Sequence, residues 1–316
     1  MAERGVFIHA VAALGPHGDT TPAERRPLLA DPQPVDLKAL VKAAAGAPLR
    51  QASHFVELAV IGSQLCLKRL PTPAPEDTAV YLGSGFAETR KNEEVFKQVM
   101  PPGPGTASPF DFINTANNMA AFYTARLANF RARNLTITQE EFSFEWALSL
   151  ALSDLRAGDY AQALVGGVDE HTLPRAHHLR RIALRDDQPI GEGSGWLSLS
   201  ISADQVLGEV LSVEAFTGTE SVTTLVCNAV NRWRQKQEPI LLLPGFRLTS
   251  EDTDVLMQTL PGATLDAYNA RCGAYPAAAA FGLATAIEET SVPPGLIVHA
   301  NRNVVGHSML TVVRKF

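Results

Sequence analysis

One stretch limits what this chain can fold into more than any other. From Asn134 to Glu170 it reads NLTITQEEFSFEWALSLALSDLRAGDYAQALVGGVDE. Leu135 to Thr138 is short and β-rich. Phe144 to Leu155 is apolar nearly all round, with Trp146, Ala147, Leu148, Leu150, Ala151 and Leu152. That pattern predicts a helix covered on every side. Gly158 supplies a left-handed stop, and Ala163 to Val168 then reads as a buried strand closing on Gly166-Gly167. A helix opening just past a strand end presents free N–H groups and its positive dipole end. α/β proteins hold a nucleophile or an anion at such places. Here the turn carries Gln139, Glu140 and Glu141, with neither a cysteine nor a serine as nucleophile.

The remaining chain alternates strand and helix patterns, which argues for α/β layers. A first series runs through strand candidates at Val6–Leu14, Ala79–Leu82, the stretch above and Gly195–Ile201. Helical spacing appears at 37–45, 48–70, 93–100 and 114–129. A second series starts near Gly208, with strands at 210–216 and 240–243, helices at 222–233 and 253–260, an Ala-rich helix over 275–288, and closing strands at 296–300 and 308–313. Element order thus divides the chain into 1–207 and 208–316. Gly15–Pro34 and Pro174–Pro189 read as loops.

With 316 residues, 46% hydrophobic and 19% charged, the chain is long enough for a sizeable core. A net charge of −6, without a basic run interleaved with aromatics, argues against nucleic acid as partner. Cys66, Cys227 and Cys272 form neither a metal spacing nor a disulfide framework. No apolar run is long enough to span a membrane, and a cytoplasmic protein is expected.

The segment GEGSGWLSLSIS, 191–202, resembles the GEGAG-plus-strand motif of β-ketoacyl synthases in the thiolase superfamily. Other matches fall in the same order. YLGSG (81–85) resembles the strand and turn before that family's first active-site helix. SPFDFINTANNMAAFYTARLAN (108–129) is similar to its SP…N…NA helix. ALSLALSDLRAGDYAQAL (147–164) looks like the helix after the nucleophile, and LVGGVDE (164–170) like the strand end that follows. The resemblance implies a thiolase-like fold: two βα halves in five layers, α-β-α-β-α, the second half shortened. It implies no cofactor and no metal. It also implies a mechanism, in which a cysteine at a helix N-terminus takes an acyl chain from a carrier protein and two histidines support decarboxylative condensation.

Each of those parts is degraded here. Laying TITQEEFSFEWAL over STACSSGxxAL puts Glu141 at the cysteine. The turn expected to hold the first histidine is LLLPGFRLTSEDT (241–253), which has Gly245. Gly273 stands at the second histidine, and NVVGHS (303–308) replaces the loop that completes the oxyanion hole. The chain therefore reads as a ketosynthase-like chain-length factor without condensing activity of its own. Its partners would be a catalytic ketosynthase, in a heterodimer, and an acyl carrier protein, in a polyketide, polyene or fatty acid system; the 108–129 segment is closest to aryl polyene systems. Phe86, Thr89, Asn92 and Phe96 are expected to gate the product tunnel, and Gly191, Gly193 and Gly195 to form turns under close backbone contact. Arg175, Arg180 and Arg181, in a loop with His177 and His178, would dock the acidic carrier. The alternative is a stand-alone enzyme that uses Glu140, Glu141 or Cys272; Arg271 beside that cysteine would favour its thiolate.

Overall fold

The structure, a computed structural model, describes residues 4–16, 18–19, 37–46, 49, 52–171, 180–184, 188–218 and 220–316. Strands β1 (Phe7–Gly15), β3 (Ala79–Gly83), β4 (Asn134–Ile137), β5 (Gln162–Asp169) and β6 (Gly193–Ser200) lie in the order β4-β3-β5-β6-β1. Strands β7 (Gly208–Phe216), β8 (Ile240–Pro244), β9 (Ala263–Leu265), β10 (Gly295–Arg302) and β11 (Ser308–Lys315) lie in the order β9-β8-β10-β11-β7. Counted within each series, both orders are 3-2-4-5-1, so the architecture is repeated. The two copies meet where β1 pairs with β7, at Phe7 with Glu209 and Ile8 with Gly208. The two-residue β2 (Gly18–Asp19) folds back on β1.

Side chains alternate across each strand, and the alternation builds the layers. Val80 and Leu82 face outward to α2 (His54–Lys68), α5 (Met119–Ala128) and, beyond them, α1 (Lys38–Ala45). Ile240 and Leu242 face outward to α7 (Val222–Trp233) and α8 (Ser250–Thr259). Ala79, Tyr81, Leu241 and Leu243 face inward to a shared central core. That core holds α6 (Ser143–Ala157) and α10 (Ala278–Glu288). The result is five layers, α-β-α-β-α, a thiolase-like ketosynthase fold. Buried Phe144, Leu148, Leu152 and Leu155 of α6 contribute about 1.5–3 kcal/mol each relative to exposure. Gly158, at φ 85°, ends α6 in the left-handed conformation.

Three expectations change. α6 is not covered on every side: Trp146 and Leu150, four residues apart, are 37% and 41% exposed. Its apolar surface is wider than this chain alone can cover. The 114–129 helix is instead α4 (Pro109–Ile113) and α5, because the Asn114 side chain donates to the Phe110 carbonyl and terminates α4. Pro276 precedes α10, whose N-cap is Ala277. β9 and the short α9 (Asn269–Cys272) are too brief to show periodicity. The 15–34 and 174–189 loops lie largely outside the described residues.

Candidate functional site

At the head of α6 the chain leaves β4, makes a 3-10 turn over Glu140–Phe142 and enters the helix. The hydroxyl of Ser143 is already engaged. It accepts from the Gln139 N–H at 2.9 Å and donates to the Glu140 carbonyl at 2.7 Å. Glu140 sits at φ 47°, a left-handed conformation that costs a non-glycine residue about 1–3 kcal/mol. Glu141 is buried, and neither carboxyl oxygen has a hydrogen-bond partner among the described residues. Burial raises its pKa and favours the neutral acid; the Arg247 charge only partly opposes this.

One turn further on is Glu145, also buried. Asn301 donates from Nδ2 to Glu145 Oε1 at 2.7 Å and to the Glu141 carbonyl at 2.8 Å. Burial pushes the Glu145 carboxyl up to about 7. His299 lies two residues before Asn301 on β10, with Nδ1 3.8 Å from Glu145 and Nε2 2.9 Å from the Tyr268 hydroxyl. Complete burial holds its pKa down at about 3, so the imidazole is neutral. Sequence reasoning missed this network. Its only signal was a His and an Asn at alternate positions of an otherwise apolar strand, LIVHAN.

The two places expected for histidines are glycines with no room for a side chain. A Cβ on Gly245, just past β8, would lie 2.5 Å from Asn301 Oδ1. Gly273, at φ 78°, packs directly on Gly191, where a Cβ would overlap the Cys272 carbonyl. A cavity of about 320 Å³ opens beside both, with Gly245, Phe246, Thr249, Asn269 and Ala274 in its wall. The described wall contains no imidazole and no thiol. Cys272 is fully buried, and burial drives its thiol pKa far above the ordinary range, against the pull of Arg271. It is a packed residue with an inert thiol.

Of the expected gating residues, Phe86 is buried in the core, Thr89 donates its hydroxyl to the Phe86 carbonyl, and Asn92 donates to the Glu88 carbonyl at 2.8 Å. Phe96, on α3 (Thr89–Val99), is 67% exposed and borders a surface cavity of about 440 Å³ with Met100 and Pro101. The four share one segment but face different ways. Gly193 and Gly195 lie in β6, and a Cβ on Gly195 would overlap the Ala280 carbonyl carbon of α10. Arg181 donates to the Gly85 carbonyl at 3.2 Å and stacks 5.0 Å over the Phe86 ring. Arg180 is exposed. Arg175, His177 and His178 lie outside the described residues.

One face of the molecule stays uncovered. β4 is an edge strand with Leu135 exposed. The same series contributes exposed Phe110, Phe112 and Ile113 of α4, Phe122 of α5, and Trp146 and Leu150 of α6.

Residues 49–183 match the family model described as Beta-ketoacyl synthase, N-terminal domain. No curated protein matches the sequence. Three solved structures share the fold over 99% of this chain. The ishigamide ketosynthase/chain length factor has a TM-score of 0.78 at 18% identity, with 99% of that chain covered. A type II polyketide acyl-carrier protein complex with its ketosynthase bound to the hexaketide, AntDE:AntF, has 0.77 at 13%, with 100% covered. A beta-ketoacyl synthase from Burkholderia phymatum STM815 has 0.74 at 14%, with 100% covered. The resemblance to β-ketoacyl synthases therefore stands on a domain matched over 49–183 and a fold shared over the chain.

Proposed function

We propose that this chain is a non-condensing, chain-length-factor-type subunit. It would pair with an active ketosynthase that elongates carrier-bound acyl chains of the polyketide or polyene kind. The observation that carries the reading is the head of α6. The helix, its Gly158 stop and the strands beside it are intact, and on this reading the place of the reacting cysteine is taken by Glu141, a buried carboxyl group. A carboxyl group there fills the space of a thiolate without its nucleophilicity. The exposed edge of β4 and the apolar residues of α4, α5 and α6 suit an extended protein interface. On this reading 1–207 carries the interface and 208–316 completes the core. Phe96 and Met100 would contribute to the length limit, and Arg180 and Arg181 would meet the acidic carrier.

The test is reconstitution with a ketosynthase that has an intact Cys-His-His set. Alone, the chain should condense nothing; in the pair, turnover should appear. A chain that is monodisperse and active without any ketosynthase would end the proposal. Phe96→Ala in the pair should shift product length, and unchanged products would remove Phe96 from the gate while leaving the heterodimer standing.

A further inference from the structure

Among the described helices of eight residues or more, α3 alone has no buried side chain. Burial of apolar side chains therefore does little to fix where it stands. Polar contacts hold it instead. On the side of α4, Lys91 and Gln98 reach Asp111 at 3.2 and 3.0 Å, and Asn92 donates to the Thr115 carbonyl at 3.3 Å. The other support is the root of the helix, where the chain leaves β3.

That root is a tight turn. Ala87, buried, sits at φ 47°. A Cβ on Gly85 would lie 2.3 Å from Pro276 Cβ, and one on Gly83 would lie 2.4 Å from the Ser143 carbonyl oxygen. The turn is thus wedged between the entry of α10 and the head of α6. The Ser84 hydroxyl accepts the Ala87 N–H at 2.8 Å and donates to Asp169 Oδ1 at 2.7 Å. Asp169, fully buried at the end of β5, also accepts the Phe86 N–H at 2.8 Å on Oδ1 and the Ala277 N–H at 2.8 Å on Oδ2. One carboxylate ties the root of α3 to β5 and to the entry of α10. Burial raises its pKa to about 6 against those donors, so the group is ionised at neutral pH and accepts on both oxygens.

We propose that Asp169 is the positioning residue of α3 and, through α3, a determinant of product length: it sets where Phe96 and Met100 stand in the wall of the cavity they border. The part concerning product length rests on the partner reading above; the seating of α3 does not. An asparagine at 169 would turn an NH₂ group toward either the Ala277 N–H or the donors of the turn, leaving donors face to face. A buried donor without an acceptor is costly, so the root must shift. No core side chain of α3 resists that shift, and the helix carries it to Phe96 near its far end.

The experiment compares Asp169→Asn with the native chain in two settings. In the free full chain, hydrogen exchange of amides 89–99 should quicken by about fivefold or more, while the amides of α7 change by less than about twofold. In the reconstituted pair, Asp169→Asn should shift product length in the same direction as Phe96→Ala, and the double variant should shift it no further than Phe96→Ala does. A mere loss of stability would lower the amount of product and leave its length unchanged. Ser84→Ala, which removes one donor to the same carboxylate, should act in the same way to a smaller degree and serves if Asp169→Asn does not fold. Unchanged exchange over 89–99 would overturn the proposal, as would native product lengths from Asp169→Asn beside shifted ones from Phe96→Ala. Native lengths from both variants would instead remove the gate, and with it the part of Asp169 in product length.

Discussion

The two series share one strand order and differ in what fills the connection between their second and third strands. In the first, β3 to β4 runs through α3, α4 and α5, and the outermost strand and α6 leave large apolar side chains exposed. In the second, β8 to β9 runs through α8 alone, the outermost strand has three residues, and α10, the counterpart of α6, is buried nearly throughout. One duplicated plan has been divided between two tasks. The first copy turns outward; the second closes the core.

The largest effect should come from breaking the outward copy. Trp146→Glu with Leu150→Glu should abolish capture by a ketosynthase partner, because truncating a central interface aromatic alone costs about 2 kcal/mol or more. Val255→Glu on α8 should leave capture unchanged in the same pull-down. If both variants are captured equally, the halves are not divided in this way. Next, Leu148→Ala in α6 and Leu283→Ala in α10 should each cost about 2–5 kcal/mol in chemical denaturation. Both leucines are fully buried in the same central core. Markedly unequal losses would show that the two helices do not share a core.

A smaller effect tests the polar seam between the copies. The Glu145 pKa is raised, so its contribution is complete below the ordinary carboxyl value and is lost as pH rises through about 7. Unfolding free energy should therefore fall by on the order of 2–3 kcal/mol between pH 5 and 8. Glu145→Gln should flatten that fall, and an unchanged curve would assign it elsewhere. Smallest of all, Glu141→Gln should alter turnover of a reconstituted pair by less than about twofold. A large loss would give this carboxyl group a direct chemical part.

Most of the layer plan was legible because buried strands and helices imprint their periods on the chain. Ala79–Gly83 and Ile240–Pro244 were found within a residue of their ends, and 222–233 at both ends. The buried acid turn at the head of α6 was legible because it is a residue type at a turn. The network of Glu145, His299, Asn301 and Tyr268 was not, since it joins α6 to residues more than a hundred positions away. Nor was the exposed stripe of α6. An apolar residue facing a missing neighbour has the same sequence signature as one facing a core.

The first strand carries a consequence for the order in which this molecule can be made. β1, at residues 7–15, is seated between β6 and β7, with Phe7 opposite both Ser200 and Glu209. A nascent chain emerging from the ribosome therefore has no place for β1 until residues 193–209 have been synthesised. Until then β1 is an open apolar segment, and the first copy cannot complete its sheet. Closure of both copies is tied to a single late event, in which β1 is taken up between β6 and β7.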